Sequence, residues 1–501
     1  MDKIKIVCRA SKLSLIQADI VRSKIALIYP DLSVVIEGIV SRGDRMKEEP
    51  LSALSGIDFF TEDIYQKLIA HHADIAVHSL KDMSSEHFFS HDSFAVVDRD
   101  ISHDVAIFNP EIIEKIKKGS HISIGTSSPR RETMAIPFLR QALPQNGDPI
   151  HISAVHIRGN VDTRLTKLNQ GNYDGIILAA AGINRLLNHK GHSKQIQKLL
   201  WDKKIMFLPL IECTPAPCQG MVVAECHPED IRVKKILSQI NSPDLLKDAI
   251  GEKKLAIQKG PGCSQKFGVT TIRTKYSHHH FASGKSADGN DINDWTHLHG
   301  YGKYDNIFAT HTVMKDFFEY LWYPNQEEIS TNHVFVANPK IAQQSEITNK
   351  LKNKMIWAAG SKTWFELAKA GLWVSGCTDG LGFDSIRPLL DARLTGTTVS
   401  DITMLTHNKA AIKWQNKGVR AIGYYDLIPK KDPSILNAVA NADFIFWSSF
   451  SQYSHYHTYA KLSVTHASAA GETAESLLLA GINPIIFPTL KAFEQWRTHI
   501  Q

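Results

Sequence analysis

Asp74-Ile75-Ala76-Val77-His78-Ser79-Leu80-Lys81-Asp82 is the stretch on which the reading of the chain turns. Asp74 to Val77 reads as a short buried strand, and His78 to Asp82 as a polar run at its end. In open α/β sheets, ligands sit outside the carboxyl ends of strands. Lys81 and Asp82 would bring a cation and a carboxylate to that place. An exposed ion pair contributes little stability, so a solvated turn explains this stretch equally well. The surrounding sequence separates the two readings.

Upstream, residues 2–8 alternate as a strand and end at Arg9-Ala10-Ser11. Leu13, Ile16, Ile20 and Ile25 then follow helical spacing. Leu32 to Val40 is a second strand leading into Ser41-Arg42-Gly43-Asp44. The stretch from Arg45 to Phe60 has weak periodicity, and Asp63 to Ile69 is a helix. Strand, helix, strand, helix, strand is a parallel α/β pattern.

A second such unit begins near residue 100. Ile122-Ser123-Ile124 is a strand running into Gly125-Thr126-Ser127-Ser128, and Pro129 suits the first position of a helix. Arg130 and Arg131 then fall in the first helical turn, where the helix dipole already presents positive charge. Two arginines there imply a bound anion. Ile152 to Ile157 ends in Arg158-Gly159-Asn160, with Arg164 on the following helix, and Tyr173 to Leu178 precedes a helix carrying Arg185. Arginine grips carboxylates bidentately. Its recurrence at strand ends points to a polyanionic ligand, and the absence of a Walker loop or dinucleotide fingerprint argues against a nucleotide.

The chain has 501 residues, which implies three or four domains. Its 43% hydrophobic and 22% charged content is that of a globular protein. A formal charge of +6 without a Lys/Arg block excludes a nucleic-acid arm. Six cysteines in so long a chain do not form a disulfide framework. No apolar run is long enough to span a bilayer. A cytoplasmic protein is expected, with no nucleic-acid or membrane partner. Cys213, Cys218, Cys226 and His227 fit no zinc spacing, so no metal is expected, and His278-His279-His280 reads as a solvated loop. Residues 205–226 return to strand character around Cys213-Thr214-Pro215-Ala216-Pro217-Cys218-Gln219-Gly220. Gly260-Pro261-Gly262-Cys263 is a small-residue turn, in which the cysteine reads as an ordinary surface residue.

Beyond residue 332 the chain repeats itself. Val334-Phe335-Val336 opens one copy and Phe444-Ile445-Phe446 the other. Thr363, Leu367, Ala370 and Gly371 recur at identical offsets as Thr473, Leu477, Ala480 and Gly481. Each copy reads as strand, helix, strand, then a helix opened by Thr and closed by Gly. The two threonines are read as helix N-caps.

Together, Arg9-Ala10-Ser11 with Gln17, Ser41-Arg42-Gly43-Asp44, Phe60-Thr61, DIAVHSLKD, IGTSSPRR, RGNVDTRLTKL, YDGIILAAAGINRL, APCQG and GPGC resemble the hydroxymethylbilane synthase (porphobilinogen deaminase) family. They run in the family's order from residue 1 to about 270. The resemblance implies an α/β fold of two domains like type II periplasmic binding proteins plus a small α+β domain. The expected boundaries are 1–98 with 205–226, 99–204, and 227–321. It implies a transferase that joins four porphobilinogen molecules head to tail, with loss of ammonia, in tetrapyrrole (haem) biosynthesis. A dipyrromethane cofactor would be tethered to Cys263, which replaces the bland reading of that turn. Asp82 and Lys81 would be catalytic, Asp82 stabilising the cation left when ammonia departs and accepting a proton, and Lys81 also clamping a carboxylate. Arg9, Ser11, Ser79, Thr126, Ser127, Ser128, Arg130, Arg131, Arg158 and Arg164 would hold the cofactor. Arg185, Gln17, Phe60 and Gln219 would meet substrate. The protein is expected to be a monomer.

Glu62, Pro129, Cys218 and Lys266 depart from the family pattern, where Lys, Leu, Gly and Pro are usual. None removes a group assigned to chemistry. GSKTWFELAKAG and GETAESLLLAG, with the repeat, resemble uroporphyrinogen-III synthase. This implies a two-lobed α/β domain at 333–501 behind a linker at 322–332, shortened at its N-terminal strands. Two alternatives stay open: a bifunctional enzyme that also makes uroporphyrinogen III, and a non-catalytic anion-binding protein on the same fold.

Overall fold

The computed structural model describes residues 3–40, 62–260, 265–296, 298, 301–323 and 327–500. The chain divides into two compact units: Met1–Arg140, Asp148–Thr271 and His280–Asp294 form the first, and Gln141–Gly147, Ile272–His279 and Trp295–Gln501 the second. Among the described residues no helix is long and apolar enough to cross a membrane.

The strands of the first unit, in chain order, are β1 (Lys3–Arg9), β2 (Ser33–Ile39), β3 (Ile75–Ser79), β4 (Phe94–Arg99), β5 (Asp104–Phe108), β6 (Ile122–Gly125), β7 (Ile152–Val155), β8 (Gly175–Ala179), β9 (Lys204–Phe207) and β10 (Met221–Cys226). They form two five-stranded sheets of matching order, β2-β1-β3-β10-β4 and β7-β6-β8-β5-β9. In each, four strands run in one direction and one runs against them, β10 in the first sheet and β5 in the second. The helix between β1 and β2, Lys12–Ile28, supplies the crossover that parallel pairing requires. Ile4, Ile6, Cys8, Ile75 and Val77 pack with Ala18, Val21 and Ile25 in one core, while Val7, Ile64, Leu68 and Ala76 form another. Both faces of the first sheet are thus covered, which is why β3 reads as a continuous apolar run rather than an alternating one.

The chain passes between the sheets twice, from β4 to β5 and from β9 to β10. The returning segment, predicted to belong wholly with the first sheet, therefore splits. β9 pairs with β5 of the second sheet and β10 with β3 and β4 of the first. His78 is also not part of a polar end. It lies inside β3, buried, with only Leu80–Asp82 forming a tight helical turn beyond it.

Three further strands, β11 (Lys266–Arg273), β12 (His278–Lys285) and β13 (Asp291–Trp295), form a sheet in that order. The triple histidine therefore opens a strand rather than a solvated loop, and His279 is buried against the Thr296 carbonyl. Glu252, on the helix Pro243–Lys259, is fully buried. It meets Arg99 Nη1 at 2.7 Å, the Cys218 amide at 2.6 Å and the Thr271 amide at 2.8 Å.

In the second unit, β14 (Ile307–Ala309), β15 (Phe318–Trp322), β16 (His333–Val336), β17 (Met355–Ala358), β18 (Val374–Cys377), β19 (Ile402–His407), β20 (Arg420–Pro429), β21 (Phe444–Phe446), β22 (Thr465–Ala469) and β23 (Ile485–Phe487) form sheets β15-β20-β19-β16-β17-β18 and β14-β21-β22-β23. The repeat predicted at β16 and β21 falls one copy to each sheet. Gly371 and Gly481, at φ 77° and 79°, stop the equivalent helices in the left-handed conformation glycine favours. The expected start at 333 is overturned. β14 pairs with β21 and β15 with β20, so the fold begins before the predicted linker, whose first residue, Trp322, ends β15. Thr363 and Thr473 do not cap their helices. Gly360 and Gly471 occupy the cap positions.

Cys218 stands at φ 61° with its side chain fully buried. A left-handed backbone costs an L-residue about 1–2 kcal/mol, and burial of the small side chain offsets about as much. Cys218→Gly is expected to stay within about 1 kcal/mol of the parent. The β-branched Cys218→Val should lose about 2–3 kcal/mol, read as a shift of the urea-unfolding midpoint.

Candidate active site

Leu80 packs with Met83, Phe88, Val96 and Met221. That anchor fixes the turn after β3, and Lys81 and Asp82 stand half-buried in the wall of a cavity of about 660 Å³. Arg9 reaches the same wall from the end of β1. Ser11 lines it while capping the helix Lys12–Ile28, its hydroxyl accepting from the Ser14 amide at 3.2 Å. Gln17 donates to Ser79 Oγ at 2.7 Å, joining two further wall residues. From the second sheet come Arg131, Arg158, Arg164 and Arg185.

Lys12 and Lys167 also line the cavity, and among its wall residues the carboxylates are Asp82 and Asp162. Lys12 pairs with Asp162 at 2.8 Å, which leaves Asp82 against a large excess of positive charge. Burial, then the neighbouring Arg131 and Arg158, lower the Arg164 guanidinium to about 10. Burial likewise lowers Lys81, opposed by Asp82 and reinforced by Arg131. Crowded cations in a poorly hydrated wall are relieved by an anion.

The first turn of the helix Pro129–Ala142 places its two arginines as the sequence predicts, with Pro129 first. The anion they require is partly internal. Asp104, buried at the start of β5, meets Arg130 and Arg131 at 2.8 Å each. Burial opposes ionisation of this carboxyl, but the two guanidinium groups hold it well below the usual carboxylate range. Arg130 also donates to the Thr214 carbonyl at 2.8 Å and does not line the cavity. Arg131 does line it, and its Nε is buried without a hydrogen-bond partner. Arg185 pairs with Asp98 at 2.7 Å and donates to the Gly220 carbonyl at 2.6 Å.

Other expected contacts are directed into the protein. Thr126 accepts from the Ser128 amide, Ser127 bonds the Ile157 backbone, and Ser128 accepts from the Arg131 amide. Gln219 donates to the Ser102 carbonyl at 2.7 Å and to Asp104 at 3.0 Å. None of these four lines the cavity. Phe60 and Cys263 lie outside the described residues. Glu62 is exposed in the first turn of its helix, away from the cavity wall. The sequence reading missed Lys12, Lys167, Asp98 and Asp104. The aspartates were legible as a cluster flanking the passage between two predicted units.

A family model described as porphobilinogen deaminase, dipyromethane cofactor binding domain, matches residues 4–235. A probable porphobilinogen deaminase of Saccharolobus islandicus is 35% identical over 267 residues, 53% of this chain and 81% of its own. The porphobilinogen deaminase of Chromobacterium violaceum is 34% identical over 54% of this chain and 80% of its own. The chain belongs to the porphobilinogen deaminase family. A probable porphobilinogen deaminase of Methanocaldococcus jannaschii is 34% identical over 54% of this chain and 82% of its own. Among solved structures, a periplasmic substrate-binding protein of an ABC transporter from Coxiella burnetii aligns over 49% of this chain and 94% of its own. Its 15% identity and TM-score of 0.27 are too low to bear on the fold.

The porphobilinogen deaminase cofactor, a pair of pyrrole rings with acetate and propionate arms, is polyanionic. The residues present fit it: the wall carries excess positive charge, and the orphaned Arg131 Nε awaits an acceptor.

Asp104 has a folded-state carboxyl below its unfolded value. Its contribution is therefore present above about pH 4 and lost as pH falls through the folded value. Asp104→Asn, which strands two buried guanidinium groups, is expected to cost about 3–5 kcal/mol. It should also flatten the acid limb of a Tm–pH profile.

Proposed function

We infer that the chain is a hydroxymethylbilane synthase, joining porphobilinogen units with loss of ammonia in tetrapyrrole biosynthesis. The observation that carries this reading is the juxtaposition of Lys81 and Asp82 in a cavity wall rich in arginine. The dipyrromethane, when bound through Cys263, supplies the pyrrole carbon to which the first substrate is joined. Arg9, Ser11, Ser79, Arg131, Arg158 and Arg164 hold its carboxylates, and Arg185 and Gln17 meet the incoming substrate. Asp82 faces the positive charge that develops on the substrate as ammonia leaves, and takes the proton released when the new bond restores the aromatic ring. Lys81 holds a carboxylate. The protein acts as a monomer. A pure anion binder would need neither Asp82 nor Cys263.

Intact mass is the deciding measurement. Purified protein should exceed its sequence mass by two pyrrole units, and Cys263→Ser should not. An unmodified mass after incubation with porphobilinogen overturns the reading. Asp82→Asn should keep the added mass while kcat falls by about 100-fold or more.

We also infer that the C-terminal unit is a uroporphyrinogen-III synthase-like domain. Support comes from the repeated strand and helix order in two sheets and from the antiparallel β15/β20 pair. With β14 and β15 included, shortness is no longer an argument against a second activity. Formation of the type III isomer from porphobilinogen supports that activity, and type I alone refutes it.

A further inference from the structure

Glu225, on β10, is fully buried in the first unit. A buried carboxylate is stable only when its oxygens are matched, and here the match is unusual. Oε1 meets His78 Nε2 at 2.7 Å, while Oε2 faces His87 Nε2 at 2.8 Å and His91 Nε2 at 3.5 Å. Three imidazoles thus converge on one buried carboxylate.

We propose that His87, His91 and Glu225 form a binding site for one divalent transition ion of the zinc type. These residues bring one donor atom each to within 4.8 Å of one another. A tetrahedral ion with bonds near 2 Å sets its donors roughly 3.3 Å apart. His87 lies in the helix Ser85–Ser90 and His91 is the extended residue just past its end, and the two rings meet edge to face at 5.2 Å. The His91 side chain is 9% exposed, and its buried Nε2 has only the long 3.5 Å approach to Glu225 Oε2 and no well-formed hydrogen bond. That nitrogen, aimed at Glu225, is the atom a metal would use. His78, on the far carboxylate oxygen, is placed as the outer partner that orients a ligating carboxylate.

Tyr65 packs edge-on against His87 at 4.5 Å and Phe94 against His91 at 5.9 Å, giving the site a largely aromatic wall. The His87 side chain is 17% exposed, which leaves an entry path and a fourth position for water. Coordination moves the His91 proton to Nδ1. The Ser93 amide contact there, 3.2 Å long, is given up in exchange. The bound ion would tie the helix that follows Lys81 and Asp82 to β10. No residue of the cavity wall is a ligand.

The test is titration of the full chain, stripped with chelator, using cobalt(II) as spectroscopic probe and then zinc(II). The parent should bind one equivalent, show the intense visible bands of tetrahedral cobalt, and gain thermal stability with zinc. His87→Gln/His91→Gln should lose that equivalent, with affinity weaker by about 100-fold or more. His91→Cys retains a ligand and should retain binding, with a sulfur-to-cobalt charge-transfer band. Equal zinc binding by the parent and the double variant, or an octahedral cobalt spectrum, overturns the proposal. If the double variant does not fold, the His91→Cys band decides, and its absence refutes the site.

Discussion

Asp104 is the constraint on which the first unit depends. Two adjacent arginines in the first turn of a helix face the positive end of its dipole, in a buried place, and do not stay there without an anion. The Asp104 carboxylate, brought by the antiparallel strand β5, supplies it. Because Asp104 follows directly on the first passage between sheets, the same ion pair fixes where that passage ends. Arg131, held by the same ion pair, also lines the cavity, so a group the helix needs for stability is part of its wall.

The second passage is held by close approach rather than charge. Gly220 sits at φ 84°, and a side chain there would meet the Asp100 carbonyl at 2.4 Å. The Gly220 carbonyl in turn accepts from the Asp100 amide and from Arg185. The two connecting segments are thereby bonded to each other beside the cavity, and cations from the second sheet stay aligned with Lys81 and Asp82 of the first. Glu252 performs a related task at the rear, gathering Arg99, Cys218 and Thr271 around one buried carboxylate.

Several residues that read as ligand contacts proved to be structural for a common reason. Hydroxyls at a strand end bond ligand or backbone equally well, and Thr126, Ser127 and Ser128 turn to the backbone of their own loop. Arg130 and Gln219 turn inward to Asp104. Arg9, Lys81, Asp82, Arg131, Arg158, Arg164 and Arg185 were legible because charged side chains after apolar runs have few other places to go. In the C-terminal unit, the repeat was legible from its offsets. The strands Ile307–Ala309 and Phe318–Trp322 were not, because each is short and pairs with residues more than a hundred positions away.

The sequence by itself determined the class of fold, several of the strands with their helices, and most of the charged wall. Those follow from local periodicity and from motifs whose spacing survives without a partner. Only the tertiary structure decided which charges are spent internally, since Asp98, Asp104 and Glu225 find their partners on elements distant in the chain. The same is true of His78, which reads as part of a polar end in DIAVHSLKD. It is drawn into the core because β10 sets a carboxylate beside it, and a buried charge must be matched wherever its partner lies in the chain.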